Sequence, residues 1–102
     1  MARKKMALKE IMALLKEKKP FLENNFKIKE IGIFGSYVRR EQNYESDIDI
    51  LVNYKDESID IFDFLELKEY LSLLVGAEVD LVMKKSLKPQ IGKNILSQVL
   101  YA

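Results

Sequence analysis

Gly35 and Ser36 follow the apolar run Ile31-Gly32-Ile33-Phe34, and after ten more residues Asp47 and Asp49 alternate with Ile48 and Ile50. Side chains two residues apart on a strand share a face, with Cα atoms roughly 6.5–7 Å apart. Asp47 and Asp49 therefore project together, while Ile48, Ile50 and Val52 face the opposite layer. Two carboxylates about 4 Å apart repel by about 4 kcal/mol at an effective dielectric of about 20. A hard cation offsets that cost, and Mg2+ suits it because it takes one or two carboxylates and keeps positions open for substrate phosphates. The Gly-Ser turn supplies a complementary half. Gly35 has no Cβ and lets backbone approach a ligand closely or take φ > 0. Ser36 then opens a short helix whose first N–H groups can meet an anion, and its hydroxyl adds a donor. Arg39, one turn on, is within reach of the same anion or of a bracing salt bridge. Asp80, flanked by Val79, Leu81 and Val82, is a third acid in an apolar run. It could be a metal ligand or the base that takes a proton from an attacking hydroxyl.

The rest of the composition narrows the chemistry. The 102 residues contain neither cysteine nor histidine. That excludes disulfides, thiolate nucleophiles, Cys/His zinc sites and histidine general bases. The second role is accordingly favoured for Asp80. Net charge is +1, but residues 1–20 carry seven basic and two acidic side chains, residues 41–80 twelve acidic and two basic, and residues 81–102 four lysines and no acid. An acidic middle between basic ends fits a metal site with polyanion-binding flanks, although solvated helix faces explain the N-terminal lysines more simply. An apolar content of 48% suits one globular domain over residues 1–102 with a modest core. Lys and Glu interrupt the basic N-terminus every few residues, so neither a signal-peptide core nor a membrane span is expected, and a soluble, cytoplasmic protein is.

The elements that must position these residues are legible from periodicity. Met6, Leu8, Ile11, Met12, Leu14 and Leu15 recur at helical spacing, with Pro20 expected to end or kink the helix and "FLENNF" to add a further turn or two. "KIKEIGIFG" alternates Ile28, Glu30 and Gly32 against Lys29, Ile31 and Ile33 as a first strand. "SYVRRE" gives a short helix and "SDIDILVNY" a second strand. Asp60 is placed to N-cap "IFDFLELKEYLSLLV", with Gly76 at its C-cap. "AEVDLVM" is a third strand, and "SLKPQIGKNILSQVLYA" a turn and a final helix with Ile91, Ile95, Leu96 and Val99 on one face. The link between the first two strands is short for a parallel crossover, so they should pair antiparallel. The expected fold is α/β (α+β): a small mixed sheet of about three strands with helices packed around it. Pairing of the first two strands would bring the Gly-Ser turn and the carboxylates to one end of the sheet.

The pattern Gly35-Ser36, ten residues, Asp47-x-Asp49, with a third carboxylate at Asp80, resembles the DNA polymerase β-type nucleotidyltransferases. The run "GSYVRREQNYESDIDILV" is similar to their smallest branch, the minimal nucleotidyltransferases. Arg40 departs from that branch, where a small residue is usual, which bears on loop shape and acceptor choice. The resemblance implies transfer of AMP from Mg-bound ATP to an acceptor hydroxyl with release of pyrophosphate. It implies metal binding and catalysis by Asp47, Asp49 and Asp80, and phosphate binding by Gly35 and Ser36. It also implies a HEPN-domain toxin as partner, with a toxin tyrosine as acceptor and the chain as antitoxin. A binding module that neutralises its partner by occlusion, and an enzyme acting on RNA or a small molecule, are the alternatives. No acceptor-binding domain is apparent, so a folded protein that brings its own docking surface is the expected acceptor. The apolar residues of the terminal helices are candidates for that interface, and self-association is compatible with so small a domain. Tyr37, beside the turn, is a candidate to stack on a base, although core packing is the simpler reading.

Overall fold

The computed structural model describes residues 7–39, 47–56 and 58–102. In chain order it contains α1 (Leu8–Asn25), β1 (Ile28–Phe34), α2 (Ser36–Arg39), β2 (Ile48–Tyr54), α3 (Ile61–Val75), β3 (Val79–Met83), a 3-10 turn at Lys84–Ser86, α4 (Pro89–Gln98) and β4 (Leu100–Tyr101). The sheet has the order β3-β2-β1-β4. β1 pairs antiparallel with β2, as the short link requires, and β3 joins β2 in parallel across the α3 crossover.

β1, β2 and β3 each bury one side against the helices. Ile31 and Ile33 of β1, Ile48, Ile50 and Val52 of β2, and Val79 and Leu81 of β3 form one buried cluster with Ile11, Leu15 and Leu22 of α1 and Leu67, Leu71 and Val75 of α3. Phe21 and Phe26, from the end of α1, stack with Tyr70 of α3, both ring pairs at 5.3 Å. The other side of the sheet carries Glu30, Gly32 and Phe34 on β1, registered against Asn53, Leu51 and Asp49 on β2.

Asp60 caps α3 as expected. Its carboxylate accepts from the Asp63 N–H at 2.9 Å, and the Asp63 carboxylate accepts from the Asp60 N–H at 3.1 Å. Gly76 closes the helix in the left-handed region at φ 67°.

α1 runs through Pro20 to Asn25, so "FLENN" adds the further turn expected after the proline. The proline lies at an exposed position, where water can satisfy the carbonyl left without an N–H, and Leu22 beyond it is fully buried in the core. Three expectations need correction. In β1, Ile28 lies in the core with Ile31 and Ile33 instead of sharing the Glu30 face. A register shift between Ile28 and Glu30 inserts a residue and resets the alternation. The last helix stops at Gln98 rather than continuing into "VLYA". The chain instead adds a fourth strand, Leu100 pairing with Ile33 and Tyr101 with Gly32. A Cβ on Gly32 would stand 2.6 Å from Val99 Cγ1 and 2.8 Å from the Leu100 carbonyl oxygen, so the bare Cα lets β4 dock. The Ala102 N–H bonded to the Ile31 carbonyl at 2.9 Å, and Lys19 Nζ donating to the Ala102 carbonyl at 2.9 Å, hold the strand in place. Finally, Leu96 is exposed and Ile95 and Val99 are only half-buried, so the expected apolar face of the last helix is shallow; the Ile91 side chain lies outside the described residues.

Candidate nucleotide and metal site

The acids gather where β1 ends and β2 begins. Asp49 is the register partner of Phe34 across the antiparallel pair and of Asp80 across the parallel pair. Asp49 and Asp80 therefore lie side by side on adjacent strands, about 4.8 Å apart in the hydrogen-bonding direction, on the sheet side opposite the helical core. Asp47 stands two residues before Asp49, just ahead of β2.

Burial refines the expected cost. Asp49 is half-buried, whereas Asp47 and Asp80 are exposed. Asp47 is not in a buried strand, and Asp80 points away from the Val79 and Leu81 side chains that flank it in the core. The desolvation argument for keeping acids here therefore applies to Asp49 alone. Among the described residues, no ion pair or side-chain hydrogen bond engages Asp47 or Asp80. No group of three or more acidic, cysteine or histidine side chains among them is assembled as a metal-binding cluster.

Gly35 ties the turn to the acids. It is buried at φ 77°, the left-handed region that glycine occupies without strain. A Cβ there would collide with the Asp49 carboxylate, standing 2.9 Å from Asp49 Cγ and closer still to Oδ2. The missing side chain is thus the space the carboxylate fills. The Val38 N–H donates to the Gly35 carbonyl at 3.1 Å as α2 begins. Tyr37 anchors this short helix in the core, 1% exposed, so it cannot stack on a base. Its hydroxyl is buried with no protein partner among the described residues, and burial pushes its pKa up. The backbone of Ser36 opens α2 as expected. The side chains of Ser36 and Arg39, and all of Arg40, lie outside the described residues.

Sequence reasoning missed a second polar group on the same face. Lys84 Nζ donates to Glu30 Oε1 at 3.1 Å, Asn53 Nδ2 donates to the same oxygen at 3.0 Å, and the ammonium sits 5.6 Å from the centre of the Tyr101 ring. The bond from Asn53, then that from Lys84, holds the Glu30 carboxyl below its usual range, and the bond to Glu30 raises Lys84. The only sequence signal was a Glu at a sheet-facing position, and its partners come from β2 and from the 3-10 turn after β3.

The antiparallel pair β1/β2 thus sets the Gly35 turn against Asp49, beside the parallel strand that carries Asp80. The family model for polymerase β nucleotidyltransferases matches residues 16–102, and the chain belongs to that family. Within it, the chain is 48% identical over 96 residues to the protein adenylyltransferase MntA of Thermococcus cleftensis, spanning 94% of this chain and 96% of that one. Its fold is similar to that of a solved minimal nucleotidyltransferase, with a TM-score of 0.79 and 27% identity over 93% of this chain and 95% of the other. It is also similar to the complex of a tri-AMPylated Shewanella oneidensis HEPN toxin with its MNT antitoxin, with a TM-score of 0.57 and 28% identity over 91% of this chain and 66% of the matched one.

Proposed function

We propose that this chain is a cytoplasmic protein adenylyltransferase that acts as an antitoxin, moving AMP from ATP to a tyrosine hydroxyl of a HEPN-domain toxin. The observation that carries the reading is the close approach of the Gly35 backbone to the Asp49 carboxylate, which supports pairing the turn, as the phosphate site, with Asp49, as a metal ligand. The similarity to an MntA adenylyltransferase and to an MNT antitoxin seated on an AMP-bearing toxin supports the choice of acceptor.

The donor set suits a hard divalent cation: carboxylate oxygens from Asp47 and Asp49, with no cysteine or histidine in the chain. Mg2+ bound there would neutralise charge on the substrate phosphates. Asp47 and Asp49 would hold the ion, and the backbone at Gly35 and Ser36 would receive the phosphates. Asp80, adjacent to Asp49 and open to solvent, takes the proton of the incoming tyrosine hydroxyl. The tyrosine oxygen forms a bond to the α-phosphorus, the bond from that phosphorus to the bridging oxygen of pyrophosphate breaks, and pyrophosphate leaves.

The test is transfer of label from α-phosphate-labelled ATP to the HEPN-domain protein of the same organism, with Mg2+ present. Wild type should label the toxin, and Asp47→Asn with Asp49→Asn should not. A stable complex without label, the same for wild type and variant, would replace catalysis by occlusion.

A further inference from the structure

The end of the sheet away from the acids carries the opposite charge. A cavity of about 250 Å³ opens there, where the parallel strands β2 and β3 end. Lys29, Lys55, Lys84 and Lys85 line it, together with Asn53 and Asp56. Four to six steps along β2 lead from Asp49 to Asn53 and Lys55, which puts the cavity about 13–20 Å from the acidic end.

Lys29 reaches the cavity through the bulge in β1. Ile28 pairs with Tyr54 and Glu30 with Asn53, which leaves Lys29 without a register partner. Unbroken alternation would put Lys29 on the core side with Ile31 and Ile33. The extra residue gives that place to Ile28 and re-aims Lys29, as bulges do.

The lysines are only partly compensated from within the chain. Lys84 is paired with Glu30 at 3.1 Å. Lys55 Nζ donates to the Glu23 backbone carbonyl at 3.2 Å, a group with no net charge. Lys29 and Lys85 are exposed, and among the described residues no ion pair or side-chain hydrogen bond engages either. Asp56, the acid that lines the cavity, accepts from the Ser58 N–H at 2.9 Å and from the Ser58 hydroxyl. Four lysines thus face two carboxylates, a surplus of two positive charges.

Charge and size together define the occupant. Lysine ammonium groups bind phosphate as point charges, and a surplus of two favours an anion with at least two charges. The volume falls below the roughly 300–1,000 Å³ of sites that enclose a drug-sized ligand, so the anion is small. We propose that this cavity is a second anion site, separate from the nucleotide and metal site, and that it takes an oligophosphate, a chain of two or three phosphate groups. It does not depend on the proposed transfer of AMP, which is read by label and stands or falls separately.

The experiment is calorimetric titration of the chain with pyrophosphate and with inorganic triphosphate in the presence of EDTA. Without metal, the acids at the other end repel these anions. Wild type should bind both, with an affinity that falls as salt is added. Lys29→Gln with Lys85→Gln should weaken binding about tenfold or more, since two charge-assisted contacts are lost. Both side chains are exposed, so this variant should keep the wild-type melting temperature. Lys9→Gln with Lys16→Gln removes the same charge from α1 and should bind like wild type, as should Asp47→Asn with Asp49→Asn. ATP that binds as tightly as triphosphate, and is lost in the Lys29 and Lys85 variant, supports the site with a nucleotide tail as the source. Tighter triphosphate supports it with the free anion as the source. No binding by wild type, or an affinity unchanged in the Lys29 and Lys85 variant, overturns the proposal. So does an equal loss in the Lys9 and Lys16 variant, because net charge alone would then attract the anion. Orthophosphate that binds as tightly as pyrophosphate overturns it as well, leaving an unselective ion site.

Discussion

Glu30 and Asp49 lie on the same side of the sheet, four register pairs apart. Four steps along β2 lead from Asp49 to Asn53, the partner of Glu30, a distance of about 13 Å. At the Glu30 end, a lysine and an amide donate to the carboxylate, and an aromatic ring covers the lysine. At the Asp49 end, acids collect from β2 and β3, with Gly35 cut back to make room. The same sheet surface thus compensates one charge at the Glu30 end and concentrates acids at the end proposed to bind the nucleotide.

The largest way to break this contrast is at the acidic end. Asp47→Asn with Asp49→Asn should lower AMP transfer by about 10³-fold, as expected when groups that stabilise transferring charge are removed. Gly35→Ala should cost about 10²-fold in transfer, since its Cβ displaces the Asp49 carboxylate and small misplacements are that expensive. Steady-state rates with the toxin as acceptor measure both.

Tyr54 sharpens the contrast from the core side. Its hydroxyl is buried without a protein partner among the described residues, and burial, with Asp63 nearby, pushes its pKa up to about 12. A group whose pKa is raised on folding contributes stability below its ordinary value of 10.0 that is lost as pH climbs towards 12. Tyr54→Phe should therefore flatten the alkaline limb of a pH–stability curve and raise stability at neutral pH by about 1 kcal/mol.

The smallest effect lies at the compensated end. Lys84→Met should cost about 0.5 kcal/mol, because both partners are about one-third exposed and such pairs are screened. Transfer of AMP should be unchanged. The depressed Glu30 makes its share of this stability present above 4.5 and lost as pH falls below it. The raised Lys84 makes its share present below 10.5 and lost at higher pH. Chemical denaturation at pH 3, 7 and 11 reads both limbs.

Much of the site was legible because it depends on local pattern. Alternation in "SDIDILV" separated Asp49 from Ile48 and Ile50, and the short link fixed the antiparallel pair that brings Gly35 to the acids. Asp60 and Gly76 marked the ends of α3 by their capping chemistry. What escaped depends on contacts distant in sequence. The bulge after Ile28 is decided by the core. A two-residue strand such as β4 is too short to show a period. Periodicity identified α3 as amphipathic but could not say that its second apolar side stays uncovered. Nor could spacing reveal that Asp47 and Asp80 face solvent.

The measurement that most directly tests the acidic end as a metal-nucleotide site is the melting temperature with and without Mg2+ and ATP, for wild type and for Asp47→Asn with Asp49→Asn. Ligand that binds only the native state raises that temperature by mass action. The account predicts a clear rise for wild type with Mg2+ and ATP together, and none for the variant. An equal rise in both proteins would contradict it and place the nucleotide elsewhere.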